Sequence, residues 1–305
     1  MKTALFFPGQ GSQSVGMMAG FEGIAIIKET FNEASDLLGV DLWQMVTEEN
    51  TALNQTENTQ PLMLAAGVAV WRVYQVMKGV VPTFMAGHSL GEYSALVAAG
   101  AISYADAIPL VKFRAQAMQN AVPEGVGAMA AILGLEDDVV RNICDETAKG
   151  EVVSAVNLNS PGQVVIAGNR AAVERAMMSA KDKGAKRTLQ LPVSVPSHCS
   201  LMKPAADQLA DYLKNIEIKT PEVPVIHNAD VVSYSDPDKI KDALVRQLYS
   251  PVRWSDTVRL MHKLQISKTA ECGPGKVLAG LTKRIAADLP CTALVNIEAV
   301  AEYNS

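Results

Sequence analysis

The chain has few of the residues that mark metal-binding, disulfide-bonded or nucleic-acid-binding proteins. Its four cysteines are far apart and include no Cys-x-x-Cys pair, which argues against a disulfide framework or a zinc site. The net charge is −5 and there is no long basic run, so we expect no nucleic-acid partner. The sequence therefore predicts free thiols and no bound metal.

Long apolar segments are also missing. No hydrophobic run is long enough to cross a bilayer, and the residues from Met1 to Gly9 lack the apolar stretch and cleavage site of a signal peptide. We therefore expect a soluble cytoplasmic protein with no membrane partner. Hydrophobic residues make up 49% of the chain but aromatic residues only 5%, so the core is aliphatic, which suits parallel strands covered by helices.

The order of predicted elements divides the 305 residues into two units. Over residues 1–124 and 195–305, strands and helices alternate as in an α/β unit with a parallel sheet. Residues 125–194 instead predict the order β-α-β-β-α-β of a ferredoxin-like unit. We therefore expect a large α/β-hydrolase-like subdomain with a small ferredoxin-like subdomain inserted into it.

Two helix starts are predicted from local signals. Pro61 suits the first turn of a helix over residues 60–78, where its missing N–H costs nothing. Ser103 is a suitable N-cap for a helix over residues 104–121.

The pentapeptide Gly87-His88-Ser89-Leu90-Gly91 is the strongest functional signal. A short buried strand is predicted before it and a helix after it, and this combination is typical of a nucleophile elbow. The glycines remove side chains that would clash in the turn, and the helix N-terminus offers N–H groups to an oxyanion. The motif predicts acyl transfer through an ester of Ser89. The alternative is a tight turn with an idle serine.

A nucleophilic serine needs a base, and the chain has only four histidines. His88 lies inside the elbow and is expected to point away from Ser89, while His262 lies on an amphipathic helix. His198 lies in a loop at the junction of the two predicted units, where catalytic residues commonly occur. His198 is therefore the first candidate base, and His227, which follows a short apolar strand, is the second.

Arg114 lies on the same face of its predicted helix as a stripe of apolar residues. A buried guanidinium needs an anion, because an unpaired buried charge is strongly destabilising. The anion is either a carboxylate of the protein, for example Glu92, or a carboxylate of the substrate held in a bidentate manner. The second possibility would select an acyl group that carries its own acid, such as malonyl.

The loop after the first predicted strand offers further hydrogen-bond donors. The backbone of Gln10, between Gly9 and Gly11, is expected to be exposed and able to hold an oxyanion. An ordinary glycine-rich turn is the alternative.

These signals belong to a set of motifs that spans the chain. The chain resembles the malonyl-CoA:acyl-carrier-protein transacylases of type II fatty acid synthesis. The resemblance lies in Phe7-Pro8-Gly9-Gln10-Gly11-Ser12-Gln13, Gly87-His88-Ser89-Leu90-Gly91-Glu92, Arg114, Asn157-Leu158-Asn159-Ser160-Pro161-Gly162-Gln163, Val195-Pro196-Ser197-His198 and Gln247-Leu248-Tyr249-Ser250-Pro251-Val252-Arg253-Trp254.

The resemblance implies that Ser89 is the nucleophile, His198 its base and Arg114 the ligand of the malonyl carboxylate. It also implies an oxyanion hole formed by the backbone N–H groups of Gln10 and Leu90. The family orients its histidine with a main-chain carbonyl rather than with an acid, and this carbonyl corresponds to Gln247. Cys199, which follows the base, is expected to serve packing.

The implied reaction is a ping-pong transfer of malonyl from malonyl-CoA to the thiol of acyl carrier protein, a transient partner. No cofactor is expected because the CoA thioester is a substrate, and a monomer is expected. One alternative is a stand-alone acyltransferase of a polyketide synthase, which would share every catalytic residue. Another is a serine esterase or thioesterase, which needs no carboxylate clamp and usually has an acid behind its histidine.

Overall fold

The structure, a computed structural model, describes residues 1–193 and 195–305. Residue 194, the predicted end of the small subdomain, lies outside the described residues. The helices are α1 (Ala25–Leu38), α2 (Leu42–Thr47), α3 (Thr56–Val76), α4 (Gly91–Ala98), α5 (Tyr104–Asn120), α6 (Asp137–Ala148), α7 (Arg170–Asp182), α8 (Lys203–Leu213), α9 (Pro237–Gln247), α10 (Trp254–Lys263), α11 (Val277–Ile285) and α12 (Ile297–Asn304). The strands are β1 (Thr3–Phe7), β2 (Phe84–Gly87), β3 (Gly127–Leu133), β4 (Val153–Ser160), β5 (Gln163–Asn169), β6 (Arg187–Gln190), β7 (Val225–Ile226), β8 (Lys268–Glu271) and β9 (Cys291–Ala293).

A parallel sheet forms the centre of the larger part of the molecule. Its described strands lie in the order β7-β2-β1-β8-β9, and every neighbouring pair is parallel. All five residues of β1 are buried, as expected for a central strand covered by helices on both faces. The register pairs Phe7 with Gly87. The loop after β1 and the turn after β2 therefore leave the same edge of the sheet side by side.

A second sheet is antiparallel and has the described strand order β4-β5-β3-β6. Helices α6 and α7 cover one face, where their apolar residues pack on the alternate residues of β3, β4 and β5. The other face carries a small cluster that includes Met129, Val156 and Cys199. Val252 joins the two parts, because its N–H donates to the carbonyl of Val156 at 2.8 Å and its carbonyl accepts from the N–H of Leu158 at 3.0 Å. The chain is thus a mixed α/β protein with one parallel and one antiparallel sheet.

Most helices and strands lie where the sequence predicts them, but the position of Pro61 is wrong. Helix α3 begins at Thr56, so Pro61 lies inside the helix rather than in its first turn. The carbonyl of Gln55 accepts from the N–H groups of Asn58 and Thr59, both at 2.8 Å, which starts the helix early. The first turns are buried, so packing stabilises a helix whose proline leaves the carbonyl of Glu57 without its helical donor.

The N-cap at Ser103 is confirmed, since its hydroxyl accepts from the backbone N–H of Asp106 at 3.0 Å. Three short elements, α2, β9 and α12, were not expected from the sequence, because their apolar patterns are too brief to distinguish them from loops. Among the described helices, none has both the length and the apolar character that crossing a membrane requires.

Candidate active site

Ser89 lies in the turn between β2 and α4 with a φ of 51°, a left-handed conformation that non-glycine residues rarely adopt. The glycines beside it are required by close backbone contacts. A Cβ atom on Gly87 would lie 1.9 Å from the carbonyl carbon of Gly91, and a Cβ atom on Gly91 would lie 2.0 Å from the carbonyl oxygen of Phe7. The prediction that these two glycines avoid side-chain clashes in the turn is thus confirmed.

His198 lies opposite the serine hydroxyl. The Oγ of Ser89 is 2.8 Å from Nε2 of His198, and Nδ1 of the same ring is 2.8 Å from the carbonyl oxygen of Gln247. Because a carbonyl only accepts, the proton lies on Nδ1, and Nε2 is left to accept the hydroxyl proton of Ser89. The arrangement resembles a catalytic triad in which a main-chain carbonyl replaces the acid.

The environment keeps His198 neutral. Its side chain is buried, and burial together with the positive charge of Arg114 lowers its pKa to about 3, although the hydrogen bond to the Gln247 carbonyl opposes this shift. The ring is therefore in the form that can accept a proton over the ordinary pH range. The neighbouring Cys199 is buried, its thiol donates to the carbonyl of Pro196 at 3.1 Å, and burial raises its pKa to about 11.

Among the described residues, the other three histidines make no side-chain hydrogen bond to Ser89. Nε2 of His88 is 2.8 Å from the Oδ1 of Asn159, on the antiparallel sheet. His227, the second candidate base, lies behind the elbow, where its Nδ1 is 2.7 Å from the Oε1 of Glu92. His262 is half exposed on the surface of α10. The structure thus brings Ser89 together with the first candidate base and not with the second.

The guanidinium of Arg114 is buried beside the serine, with only 1% of the residue exposed. One Nη donates to the Oε1 of Gln60 at 2.7 Å, and the other donates to the Oε1 of Gln247 at 3.0 Å and lies 3.4 Å from the Oγ of Ser89. Among the described residues no carboxylate pairs with Arg114, and the possible salt bridge to Glu92 does not form. Burial lowers the pKa of Arg114. A buried cation with neutral partners is suited to bind an external anion.

The loop after β1 packs closely on the elbow. A Cβ atom on Gly9 would lie 2.3 Å from the carbonyl oxygen of His88 and 3.6 Å from the backbone nitrogen of Leu90. Within the described part of the chain, the backbone N–H groups of Gln10 and Leu90 donate to no protein acceptor. Both residues line the cavity above Ser89, so two donors are available there to a carbonyl oxygen.

This cavity has a volume of about 400 Å³ and lies between the two sheets. The parallel part contributes Ser89 and Arg114, and the antiparallel part contributes Met129, Asn157 and Leu191. Apolar walls with a few convergent polar groups are typical of small-molecule sites. The volume of the cavity and the cation of Arg114 suit a short acyl group with an acidic end.

Three amide side chains of the site were missed by sequence reasoning. Asn228 accepts from the backbone N–H of Ser89 at 2.7 Å and donates to the carbonyl of Gly87 at 2.6 Å. Gln60 and the side chain of Gln247 hold Arg114. Gln60 precedes a long apolar run, and a polar residue in such a context could have drawn attention. Asn228 stands in no motif, and the motif that begins at Gln247 points only to its main-chain carbonyl. Only the fold brings the two side-chain amides to Ser89 and Arg114.

The chain is similar along most or all of its length to named acyl transferases. Residues 5–278 match the acyl transferase domain family. The malonyl CoA-acyl carrier protein transacylase of Haemophilus influenzae is 55% identical over 307 residues, which cover 100% of this chain and 97% of the relative. The solved transacylase of that name from Coxiella burnetii has a TM-score of 0.98 and 47% identity, covering 100% of this chain and 97% of the other. A malonyl-transacylase solved in complex with a type II PKS acyl-carrier protein has a TM-score of 0.98 and 51% identity, covering 100% and 99%.

Proposed function

The chain belongs to the acyl transferase domain family, and from this premise we propose that it transfers malonyl from malonyl-CoA to the phosphopantetheine thiol of an acyl carrier protein. The observation that carries the proposal is the buried Arg114, which pairs with no carboxylate among the described residues. Its guanidinium lies 3.4 Å from the hydroxyl of Ser89, which is hydrogen-bonded to His198. The curated relatives match along essentially their whole length and are named for this activity.

The two sheets correspond to two proposed subdomains. Residues 125–194 form a ferredoxin-like subdomain, inserted into an α/β-hydrolase-like subdomain of residues 1–124 and 195–305. The order β4-β5-β3-β6 with two helices on one face supports the first assignment. The elbow at the carboxyl edge of a parallel sheet supports the second. The substrate lies in the cavity between the two subdomains.

In the first half-reaction, the malonyl carboxylate binds to Arg114 and the thioester carbonyl oxygen accepts from the N–H groups of Gln10 and Leu90. Ser89 Oγ attacks the carbonyl carbon while Nε2 of His198 takes the hydroxyl proton. The C–S bond then breaks, the sulfur takes this proton from His198, and CoA leaves as a thiol. Malonyl remains as an ester on Ser89.

In the second half-reaction, the carrier thiol gives its proton to His198 and its sulfur attacks the ester. The C–O bond breaks, Ser89 recovers the proton, and malonyl leaves as the carrier thioester. The scheme is ping-pong. It needs no cofactor, because the acyl donor is a thioester in the first half-reaction and the Ser89 ester in the second.

Binding of malonyl also increases the basicity of His198. The charge of Arg114 is the second cause, after burial, of the low pKa of His198. A carboxylate on Arg114 offsets that charge, so it raises the pKa of His198 towards the range in which a general base works well. The correct acyl group thereby helps to activate the base that it needs.

The decisive experiment is to mix the protein with malonyl-CoA and measure the mass of the intact protein and its peptides. We expect one malonyl group on Ser89, removed when holo carrier protein is added, and none on the Ser89→Ala variant. An unmodified protein, or malonyl at another residue, would contradict the scheme.

A carrier protein of polyketide synthesis is a second candidate acceptor. One relative, 51% identical over the full chain, was solved in complex with a type II PKS acyl-carrier protein. Transfer rates from malonyl-labelled protein to a fatty-acid carrier and to a polyketide carrier would separate the two. We propose the fatty-acid carrier as the acceptor, and transfer to it at the higher rate would support this choice over the polyketide carrier.

The esterase alternative predicts release of malonate to water. We expect the malonyl ester on Ser89 to persist in buffer and to disappear on addition of the carrier thiol. We further propose a monomeric cytoplasmic enzyme, and sedimentation of the purified chain tests the monomer.

A further inference from the structure

A buried carboxylate behind the nucleophile elbow has no part in the chemistry described above. Glu92 lies in the first turn of α4, shortly after Ser89, and is 0% exposed. Its Oε1 is 2.7 Å from Nδ1 of His227, and its Oε2 accepts from the backbone N–H of Asn228 and from Nε2 of Gln247, both at 2.9 Å. Both carboxylate oxygens are therefore hydrogen-bonded, as a buried charge requires.

The contact with Gln247 connects this carboxylate to the active site. Oε1 of Gln247 accepts from Arg114 at 3.0 Å, its Nε2 also donates to the carbonyl of Ser89 at 2.9 Å, and its own carbonyl accepts from His198 at 2.8 Å. A side-chain amide has one accepting end and one donating end. Since a carboxylate only accepts, Glu92 requires the NH₂ end on its side and leaves the oxygen for Arg114. A reversed amide would bring its NH₂ group against the guanidinium.

The contact with Asn228 connects the same carboxylate to the elbow. Oδ1 of Asn228 accepts from the N–H of Ser89 at 2.7 Å, and its Nδ2 donates to the carbonyl of Gly87 at 2.6 Å. Outside the site, Arg246 makes two hydrogen bonds to Asp230, at 2.6 and 2.7 Å. This ion pair ties the loop after β7 to the end of α9. Glu92 occupies the point where these two segments meet.

We propose that Glu92 is a positioning residue that acts through the amide of Gln247 to aim Arg114 at the acyl carboxylate. Its charge stabilises the cation through one intervening amide, and it makes no direct hydrogen bond to the guanidinium. A direct pair between Glu92 and Arg114 would occupy the groups that malonyl needs. Glu92 therefore supports the preference for an acyl group with an acidic end, an inference that rests on the proposed malonyl transfer.

The test compares the rates at which malonyl-CoA and acetyl-CoA acylate Ser89 in the Glu92→Gln variant, which keeps the size and removes the charge. We expect the malonyl rate to fall on the order of 10²-fold, as for a misplaced binding group. The acetyl rate should fall only about 10-fold. A role in folding alone would lower both rates by the same factor.

The matched control is Glu271→Gln. Glu271 is also 0% exposed and accepts from the backbone N–H of Ala279 at 2.8 Å, but it makes no hydrogen bond to Arg114 or Gln247 among the described residues. Burial raises the pKa of Glu271 to about 7, so this carboxyl group is only partly ionised near neutral pH. Loss of this buried carboxyl group, assayed above pH 7 where it is mostly charged, is expected to leave the malonyl-to-acetyl ratio unchanged.

Two further measurements keep the proposal testable if Glu92→Gln does not fold. Gln247→Leu keeps the main-chain carbonyl for His198 and removes the amide, so it should show the same selective loss of malonyl acylation. In an Arg114→Ala background, Gln247→Leu should have little further effect on the malonyl rate, because the two residues act as a unit.

If malonyl-CoA labels the wild type but Glu92→Gln or Gln247→Leu loses malonyl and acetyl acylation equally, the positioning role is wrong. A wild type that malonyl-CoA does not label would overturn the proposed function and this inference with it. The two failures are therefore distinguishable in the same assay.

Discussion

The two sides of the proposed active site are built in different ways. The nucleophile side is a single stretch, Gly87-His88-Ser89-Leu90-Gly91, in which backbone contacts as short as 1.9 Å to a hypothetical Cβ atom fix the turn. The proposed acid-binding side joins Arg114, His198 and Gln247 from three distant parts of the chain through side-chain and carbonyl hydrogen bonds. The first side tolerates no added atom, whereas the second depends on buried charge and on the direction of amides. Substitutions on the first side should therefore disrupt folding of the turn, whereas those on the second should mainly change the rate and selectivity of acylation.

The largest effect is expected for Gly87→Ala. The added methyl group would overlap the backbone of Gly91 and Glu92, so the elbow cannot form. We expect destabilisation by more than about 4 kcal/mol, or insoluble protein, and no acylation of Ser89, measured by thermal unfolding and mass spectrometry.

Gly280→Ala is the matched control for this prediction. Gly280 lies in α11, and a Cβ atom there would meet nothing within 4 Å. We expect unchanged acylation and stability equal to or up to about 1 kcal/mol above that of the wild type. Comparable losses in both variants would show that the elbow is not unusually constrained.

Arg114→Ala, on the proposed acid-binding side, is expected to impair binding of the acyl carboxylate more than the acylation chemistry itself. Malonyl acylation of Ser89 should fall about 10²- to 10³-fold, because a buried charge-assisted contact is lost, while acetyl acylation should change far less. Initial rates with the two CoA esters measure the difference. Equal losses would mean that the cation serves the fold rather than the acyl carboxylate.

The pH dependence of acetyl acylation tests the electrostatic coupling between Arg114 and His198. In the wild type the pKa of His198 is lowered to about 3, so the rate should not fall as the pH is reduced to about 5. Removal of the Arg114 charge makes protonated His198 less unfavourable, which raises its pKa. The acid limb of the rate profile in Arg114→Ala should therefore move to higher pH. An unmoved limb would contradict the coupling of the two residues.

The smallest effect is expected for Asn159→Ala, at the contact between the antiparallel sheet and the elbow. His88 would lose its 2.8 Å hydrogen-bond partner, at a cost of about 1 kcal/mol in stability and a few-fold in acylation rate. Ser154→Ala, on the same strand and with no side-chain hydrogen bond among the described residues, should change neither quantity. Thermal unfolding of both variants checks the difference.

Much of the site was accessible from the sequence because its signals are local or chemically rare. The elbow is specified by two glycines around a serine, and four histidines leave few candidates for a base. Arg114 stood out because a cation on an apolar helix face needs an explanation. The alternative that Arg114 forms a salt bridge with Glu92 was wrong. That carboxylate hydrogen-bonds to Asn228, Gln247 and His227 instead.

The sequence by itself determined the helices and strands with clear periodicity, the nucleophile elbow and the scarcity of possible bases, because these follow from backbone sterics and residue chemistry within a few neighbouring positions. The tertiary structure alone decided that Gln60, Asn228 and the side chain of Gln247 hold the site, and that Pro61 lies within a helix. Amides have no sequence signature, since their role depends on which donor or acceptor the fold brings within about 3 Å. Burial decided the helix at Pro61, because packing of its buried face outweighs the lost hydrogen bond.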